Sequence, residues 1–568
     1  MPKFLKMFFI SALTAVFFQS GINSQTVDKP SLESGRDRSL VVPVILNGEA
    51  QRIPEFEDPE EWIRHDLWVE TEFDTDGDGR KDRMHVDVTR PAQTETDGLK
   101  LPVVYESSPY FAGTGSSASQ YFWNVRQELD ADPPERAKMP PIQRRGQRPV
   151  ISTSQTRPWV PYGFIVVHSS APGTGLSQGC PTVGTRIEAL APKAVVDWLN
   201  GRAKAYTTPD GTEEVKAYWA TGKVGMIGTS YNGTIPFAAA TTGVEGLEAI
   251  IPVAPNNSYY HYYRSNGLVR SPGGYIGEDV DVLYDFIHSN PDNCEYCDSV
   301  IKRGVMHARQ DRKTGDYNDF WAERDLMNYM NDYRAATLMA HGFNDWNVMI
   351  SHSIRFMDVL KNKGVPLQVY FHQGGHGGEP PFRMMNRWFT RYLFGVENDV
   401  EKDPKAWIVR EGDDRLEPTS YPDYPNPEAS PVRFFLGPGA PQAGSLLMNK
   451  PAKKSYETLV DNFSFSGSTL AKAEWTDHRL IYLTPPLKED LHISGTPSIK
   501  IKASSDKPAV NLSVWLVSLP WTESRNPRPT DNIITRGWAD LRNYRSLTES
   551  EPLKAGHFYE MTFELEPD

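Results

Sequence analysis

Short apolar runs alternate with segments of helical spacing through the first half of the chain. The apolar runs are residues 100–106, 163–168, 223–228 and 247–253, and the helical segments are residues 188–200 and 234–242. Strands that alternate with helices build a mainly parallel sheet with helices on both faces. The same alternation resumes at residues 335–340 and 367–371. The pattern therefore predicts an α/β fold.

Two regions depart from this alternation. Residues 256–335 are rich in Tyr, Asp and Arg and indicate helices and loops, as in a cap inserted above a sheet. From about residue 401, short β-type runs such as 498–503 and 510–516 are separated by Pro and Gly turns. That spacing is typical of a β-sandwich. Residues 113–160 are polar and Pro-rich, and they predict a long surface insertion.

A hairpin is predicted near the start of the core. Residues 68–73 and 84–88 alternate between apolar and polar, as paired strands do. The Asp and Gly spacing of the turn, which runs from Asp74 to Asp82, resembles the start of a calcium loop. His85 stands where such a loop has its last acidic ligand. A polar turn is the favoured interpretation, and a calcium site is the alternative.

The N-terminus has the pattern of an export signal. Lys3 and Lys6 precede an apolar run at residues 8–18, and a cleavage point near Ser24 follows. The run is short for a membrane span. We therefore expect a secreted or periplasmic protein, with an uncleaved anchor as the alternative.

Charge and cysteine content limit the kinds of binding partner and cofactor that the chain is expected to have. The 568 residues include 60 basic and 73 acidic side chains, a net charge of −13, which argues against nucleic-acid and membrane partners and leaves a homodimer open. Cys294 and Cys297 form a single C-x-x-C pair, which is a poor zinc site without a second pair. We expect a structural role for them, a disulfide in an oxidising compartment, and no metal or other cofactor.

The most informative motif is Gly228-Thr-Ser-Tyr-Asn-Gly233, between a predicted strand and a helix of small residues. Glycines allow a sharp turn, and the helix N-terminus favours an oxyanion beside Ser230. The second glycine comes three residues after Ser230, rather than two as in the common G-x-S-x-G pattern. An ordinary strand–turn–helix junction is the alternative.

A serine nucleophile needs a base that is oriented by an acid. Asp345 and His376 each follow a predicted strand, in the chain order Ser, Asp, His that the α/β-hydrolase fold uses. His341 and His372 fall within or at the ends of strands and are expected to be structural. The three residues Ser230, Asp345 and His376 are the predicted triad.

These segments together resemble the X-Pro dipeptidyl-peptidase family, whose relatives include cocaine esterase and the α-amino-acid ester hydrolases. The cap carries the most specific similarity, in Tyr262-Tyr-Arg-Ser-Asn-Gly-Leu-Val-Arg-Ser-Pro-Gly-Gly274 and in Gly277-Glu-Asp279. Further matches include residues 107–111, 195–203, 315–321 and 534–538.

The resemblance implies an α/β-hydrolase core with an inserted helical cap and a C-terminal jelly-roll β-sandwich. It implies an oxyanion hole formed by the Tyr110 hydroxyl and the Tyr231 backbone N–H. It further implies that Glu278, with Asn347, holds the substrate's amino group. Tyr259 and Tyr262 would line the dipeptide pocket.

Three features depart from the family pattern. Tyr259 stands where tryptophan is frequent, and Asn232 stands in the turn where an apolar residue is usual. The last residues, 562–568, resemble a strand in mid-sandwich, so a truncated C-terminal domain is expected.

The predicted organisation follows from these observations. It comprises a signal peptide at 1–24, an extension at 25–55, the hydrolase core at 56–255 and 336–400, the cap at 256–335 and the jelly roll at 401–568. The expected activity is release of Xaa-Pro dipeptides from peptides with proline at the second position. An esterase or acylase acting on α-amino-acid esters or amides is the alternative, and a binding protein with a vestigial hydrolase core is a second one.

Overall fold

A large mixed sheet forms the centre of the molecule. The computed structural model describes residues 40–126, 129, 131–143, 151–521 and 532–568. A small hairpin, β1 (Ile45–Leu46) and β2 (Glu49–Ala50), precedes the sheet. The strands of the sheet are β3 (Ile63–Glu70), β4 (Arg83–Arg90), β5 (Leu101–Ser108), β6 (Ile165–Ser170), β7 (Ala205–Tyr206), β8 (Ala220–Thr229), β9 (Leu247–Val253), β12 (Ala336–Gly342), β13 (Leu367–His372), β14 (Ala406–Ile408) and β15 (Thr419–Tyr421).

The order across the sheet is β15-β14-β13-β12-β9-β8-β5-β6-β4-β3-β7. The strands from β14 to β6 in this order are parallel to one another, and the remaining strands pair antiparallel. The predicted hairpin is confirmed, because β3 and β4 pair with Trp68 opposite His85. Parallel strands place all their carboxyl ends at one edge, which is where ligands bind open α/β sheets.

Helices cover both faces of the sheet. The α-helices are α1 (Gln93–Thr96), α2 (Thr156–Trp159), α3 (Arg186–Leu199), α4 (Tyr231–Ala240), α5 (Tyr259–Tyr263), α6 (Val280–Ile287), α7 (Cys294–Cys297), α8 (Asp319–Glu323), α9 (Ser351–Lys363), α10 (Phe382–Leu393) and α11 (Gly467–Lys472). Side chains of α3, α4 and α9 share one buried core, and those of α2 and α10 share another. Neighbouring strand residues divide between the two, since Val103 lies in the first core and Val104 in the second. The period-2 geometry of a strand produces this division.

The chain between β9 and β12 leaves the sheet and forms the cap. It contains α5 to α8, a short hairpin of β10 (Arg264–Ser265) and β11 (Leu268–Val269), and a π-helical segment at Asp298–His307. Asp279 caps the N-terminus of α6 by accepting a hydrogen bond from Val280 N.

The expectation that residues 113–160 form only a surface insertion is wrong for part of that segment. Trp123 Nε1 donates to Asp281 Oδ1 at 2.9 Å, and Arg136 forms an ion pair with Asp281 at 2.7 Å. The Asp281 side chain is fully buried. A buried carboxylate needs such partners, so this part of the insertion packs into the cap.

The cysteine pairing also differs from the expectation for Cys294 and Cys297. Cys297 forms a disulfide with Cys180, whose Cα lies 5.5 Å away, and Cys294 is a free thiol. Cys180 lies 117 residues earlier in the chain. The sequence could not reveal this partner, because local spacing carries no information on so distant a contact. The bond joins a loop of the core to the cap.

The C-terminal part is rich in strands. They are β16 (Phe435–Leu436), β17 (Gly444–Leu447), β18 (Tyr482–Leu483), β19 (Ser498–Ala503), β20 (Asn511–Val517), β21 (Ile533–Asp540) and β22 (Tyr559–Glu564). β19 pairs with β22 and β20 with β21, both antiparallel. These two pairs enclose one apolar core that includes Met561 and Phe563. The complete jelly-roll topology stays a prediction.

Within the described ranges, no helix combines the length and apolar character that a membrane crossing requires. The predicted signal peptide at residues 1–24 lies outside the described residues.

Candidate active site

Ser230 lies at a sharp turn between β8 and α4. Its backbone has φ 66° and ψ −126°, a conformation that a residue with a side chain rarely adopts. A Cβ on Gly228 would lie 2.3 Å from the Asn232 carbonyl oxygen, and one on Gly233 would lie 2.6 Å from the Val253 carbonyl oxygen. Both positions therefore need glycine. The turn has the strain and the strand–helix setting of a nucleophile elbow.

Asp345 lies in the loop after β12 and is fully buried. Its Oδ1 accepts hydrogen bonds from Asn347 N at 2.8 Å and Val348 N at 3.1 Å. Burial alone would raise the pKa of Asp345, but hydrogen bonds from His341 and His376 outweigh it and hold the pKa at about 2. Asp345 is therefore a stable carboxylate at neutral pH.

His376 lies in the loop after β13, with its Nδ1 2.6 Å from Asp345 Oδ2. This contact leaves Nε2 as the ring nitrogen able to face a hydroxyl. A Cβ on Gly377 would lie 3.6 Å from Thr229 Cγ2, so the His376 loop packs beside the Ser230 turn. The Asp345–His376 pair and the Ser230 turn thus lie beside each other at the carboxyl edge of the sheet.

His341 and His372 lie behind the triad. His341 Nδ1 lies 2.7 Å from Ser353 Oγ, and its Nε2 is 3.3 Å from Asp345 Oδ2. His372 accepts a hydrogen bond from Gly374 N at 2.9 Å, and its Nε2 lies 2.9 Å from the Gly377 carbonyl oxygen. Burial lowers the pKa of His372 to about 4, so it stays neutral and shapes the His376 loop.

Tyr110 comes two residues after β5, near the elbow. Its ring meets the ring of Tyr231 edge-on, with the centroids 5.9 Å apart. Burial, reinforced by the charge of Glu278, raises the pKa of Tyr110 far above its usual value. The hydroxyl therefore stays protonated and can donate a hydrogen bond. Tyr231 is the first residue of α4, where a backbone N–H has no partner within the helix.

Glu278 lies at the entrance to α6 and is nearly fully buried. Its Oε1 accepts a hydrogen bond from Tyr263 OH at 2.7 Å. Burial raises the pKa of Glu278 to about 8, and the hydrogen bond only partly offsets this. A buried carboxyl of this kind gains most from a cationic partner.

The other residues predicted to bind the substrate contact Tyr263, Tyr231 of the elbow and Asp345. Tyr262 OH donates to Asn347 Oδ1 at 2.8 Å, and Asn347 N binds the Asp345 carboxylate. The Tyr259 ring packs against Tyr231, with the centroids 6.0 Å apart. Among the described residues no hydrogen bond joins Glu278 to Asn347. The structure places Asn347 between Tyr262 and the triad acid.

Two residues beside the site make contacts that the sequence analysis did not predict. Asn232, the unusual residue of the turn, donates to Glu106 Oε1 at 2.8 Å. Glu188 of α3 accepts hydrogen bonds from Tyr231 OH at 2.6 and 2.8 Å. The polar Asn232 inside an apolar helix was a sequence signal for a buried polar partner. Glu188 gave no such signal, because acidic residues are common in the first turn of a helix.

The structure of the acidic turn from Asp74 to Asp82 is compatible with both interpretations, a polar turn and a calcium site. Ligand atoms of Asp74, Asp76 and Asp78 lie within 4.8 Å of one another. Asp74 also accepts hydrogen bonds from Gly77 N and Gly79 N, as in a polar turn. The calcium alternative stays a prediction.

Comparison with known proteins identifies the family. The X-Pro dipeptidyl-peptidase (S15 family) model matches residues 76–378, which span the elbow, the cap and the His376 loop. The chain belongs to this family. A model for the X-Pro dipeptidyl-peptidase C-terminal non-catalytic domain matches residues 398–568. The family and hydrolase predictions are confirmed.

Curated members of the S15 family are similar over most of the chain. A putative Xaa-Pro dipeptidyl-peptidase from Rhodopirellula baltica is 64% identical over 531 residues, which cover 93% of this chain and 85% of the relative. One from Bacillus anthracis is 39% identical over 514 residues, which cover 90% of this chain and 81% of the relative.

Solved structures agree on the fold. An α-amino acid ester hydrolase gives a TM-score of 0.58 at 16% identity and covers 95% of this chain and 90% of its own. A CocE/NonD family hydrolase from Staphylococcus aureus gives 0.51 at 14% identity and covers 89% and 85%. The predicted α/β-hydrolase fold class is thereby confirmed.

Proposed function

We propose that this chain releases Xaa-Pro dipeptides from peptide N-termini by a serine mechanism with an acyl-enzyme intermediate. The observation that carries the proposal is the 2.6 Å contact between His376 Nδ1 and Asp345 Oδ2 beside the strained Ser230 turn. Membership of the S15 family supports the peptide substrate. The named relatives support the preference for proline.

Acylation needs each of these groups in a defined role. Ser230 Oγ attacks the carbonyl carbon of the second residue, and His376 Nε2 takes the hydroxyl proton. Asp345 holds the ring orientation and stabilises the imidazolium that forms. The Tyr110 hydroxyl and Tyr231 N–H donate to the oxyanion. His376 then gives its proton to the departing amine as the peptide bond breaks.

Deacylation repeats these steps with water as the nucleophile in place of the serine hydroxyl. His376 takes a proton from water, whose oxygen attacks the ester carbonyl on Ser230. The tetrahedral intermediate collapses, its bond to Ser230 Oγ breaks, and His376 returns the proton to that oxygen. The dipeptide leaves as a carboxylic acid, which releases its proton to solvent. The same hydrogen-bond donors serve both steps.

Recognition of the free amine is assigned to Glu278. An ammonium group beside this buried carboxyl supplies a cationic partner that Glu278 lacks among the described residues, so binding favours the ionised form of Glu278. Asn347 donates its backbone N–H to the Asp345 carboxylate and accepts a hydrogen bond from Tyr262. Tyr262 contributes a buried ring beside Asn347, which suits the flat proline side chain.

The pH dependence follows from two ionisations. Productive binding needs a Glu278 carboxylate, whose pKa in the free enzyme is about 8, and a substrate ammonium, whose pKa is also about 8. Below this pH Glu278 is mostly protonated, and above it the substrate is mostly neutral. We expect kcat/KM for an Ala-Pro anilide to peak near pH 8.

The test compares Ala-Pro anilide with its N-acetyl form in the wild type and in Glu278→Gln. We expect acetylation to lower kcat/KM of the wild type by about 100-fold or more, and Glu278→Gln to lose both this discrimination and the peak near pH 8. Equal cleavage of the two substrates by the wild type, or unchanged kinetics of Glu278→Gln, would contradict the exopeptidase role. Faster turnover of simple esters would favour the esterase alternative.

We propose further that the mature protein is exported to the periplasm or the medium. The basic and apolar pattern of residues 1–24 supports this, and so does the Cys180–Cys297 disulfide, because such bonds persist in oxidising compartments. N-terminal sequencing of the exported protein should begin near Gln25. Recovery of residues 1–20 would contradict it.

A further inference from the structure

A buried arginine of the C-terminal domain reaches the loop that carries Asp345. Arg536 lies in β21, and its side chain is fully buried. Its Nη1 donates to the Phe343 carbonyl oxygen at 3.1 Å, and its Nη2 donates to the Asp345 carbonyl oxygen. Its guanidinium carbon also lies 4.5 Å from the centre of the Trp346 ring. Its Nη2 also lies 3.2 Å from Met349 Sδ, so one side chain contacts four residues of the loop.

Other groups of the C-terminal domain hold the same loop. The Trp346 ring meets the rings of Trp515 and Trp538 edge-on, with centroids 6.2 and 6.0 Å away. Glu566 Oε2 accepts a hydrogen bond from Ser351 N at 3.1 Å, at the start of α9. The loop from Phe343 to Ser351 is therefore held at several points by the C-terminal domain.

The energetics of Arg536 favour a role beyond packing. Within the described residues no carboxylate forms an ion pair with its guanidinium. Carbonyl oxygens accept its hydrogen bonds, while the charges of Glu566 and Asp345 act on it from beyond ion-pair distance. Burial lowers the pKa of Arg536 to about 10, so it is still charged at neutral pH. A buried charge is a poor means of gaining stability compared with well-packed apolar side chains. Its two N–H donors instead fix the positions of the Phe343 and Asp345 carbonyls, on the stretch of backbone that carries the Asp345 side chain.

We propose that Arg536 is a positioning residue for catalysis, through which the C-terminal domain sets the direction of the Asp345 carboxylate toward His376. The inference rests on the proposed role of Asp345 in the triad. Fixing the Phe343 and Asp345 carbonyls fixes the backbone of Asp345 and hence the path of its side chain. A displacement of the acid by a fraction of an ångström weakens its control of the His376 ring, because catalytic geometry tolerates little misplacement.

The test is a double-mutant cycle between Arg536→Lys and Asp345→Asn, read as kcat and KM for Ala-Pro anilide. A lysine keeps the charge but cannot bind both carbonyls with fixed geometry. We expect Arg536→Lys to lower kcat about tenfold with KM unchanged. In the Asp345→Asn background the same change should cost less than twofold, because residues that act as a unit are not additive.

The matched control is Arg542→Lys. Arg542 is also a buried arginine of this domain, but its Nη2 binds Asp540 Oδ2 at 2.7 Å. The Arg542→Lys variant should have a lower unfolding temperature than the wild type and an unchanged kcat. If Arg536→Lys does not fold, Glu566→Gln takes its place in the cycle, with the same sign and the same criterion.

The outcomes separate the two proposals. An unchanged kcat in folded Arg536→Lys, or an equal loss in both backgrounds, overturns the positioning role. Wild-type activity of Asp345→Asn would instead overturn the triad itself.

Discussion

Two buried carboxyl groups of the site have opposite protonation behaviour. Asp345 receives hydrogen bonds from two backbone N–H groups and lies beside two histidines, and its pKa is about 2. Burial raises the pKa of Glu278 to about 8, and a hydrogen bond from Tyr263 offsets this only in part. Burial acts on Asp345 as well, but there His341 and His376 outweigh it. Asp345 is thus suited to orient a base, and Glu278 to receive a cation.

The residue that best isolates the oxyanion hole is Tyr110. Removing its hydroxyl in Tyr110→Phe deletes one donor while keeping the ring that packs on Tyr231. We expect kcat to fall by about 100-fold, which corresponds to roughly 3 kcal/mol in the transition state, with little change in KM. Steady-state kinetics on Ala-Pro anilide measure both.

Tyr231→Phe is the matched control. The Tyr231 hydroxyl binds Glu188 rather than the substrate, and its backbone N–H is unaffected by the change. This variant should lose stability because the buried Glu188 carboxyl loses a hydrogen-bond donor, while kcat is retained. An effect of Tyr110→Phe confined to KM would assign Tyr110 to packing alone.

At the scale of elements, the strands and the turn that carries Ser230 could be predicted from the sequence. Contacts between elements that are distant in the chain could not. Apolar runs located β5, β6, β8 and β9, and the glycines around Ser230 marked the turn. The Cys180–Cys297 bond depends on how the cap folds back on the core, which local periodicity does not encode. The reason for Gly233, three residues after Ser230, is visible only in the structure. A side chain at this position would collide with the Val253 carbonyl oxygen.

The disulfide predicts a measurable contribution to stability. Cys297→Ser opens a loop of 117 residues, which in the chain-entropy model is worth about 4 to 5 kcal/mol of unfolding free energy. We expect a lower unfolding temperature of the oxidised protein, and the same lowering in the wild type when a reductant is added. Thermal unfolding followed by circular dichroism measures both.

Cys294→Ser serves as the control, because Cys294 is a free thiol. It should unfold at the wild-type temperature and keep the response to reductant. A loss of stability equal to that of Cys297→Ser would mean that Cys294 takes part in the bond.

At the scale of the whole molecule, three regions contribute to the proposed site. The ends of sheet strands carry the predicted triad of Ser230, Asp345 and His376, the cap carries Glu278, and the C-terminal domain contacts the Asp345 loop through Arg536. The sequence could propose the first set because strand ends carry chemistry in open α/β sheets. Glu278 came from the family resemblance. Arg536 had no signal in the sequence, since a strand arginine is ordinarily exposed and only the packing of two domains buries it.

The most direct test of the central claim is covalent labelling with an Ala-Pro diaryl phosphonate, followed by peptide mapping. The phosphorus atom takes the place of the scissile carbonyl, and attack by a serine hydroxyl expels a phenol and leaves the dipeptide analogue on the enzyme. We predict one adduct, on Ser230, that forms with the free-amine reagent and at least about 100-fold more slowly with its N-acetyl form. An adduct on another residue, or equal labelling by the two reagents, would contradict a serine exopeptidase centred on Ser230.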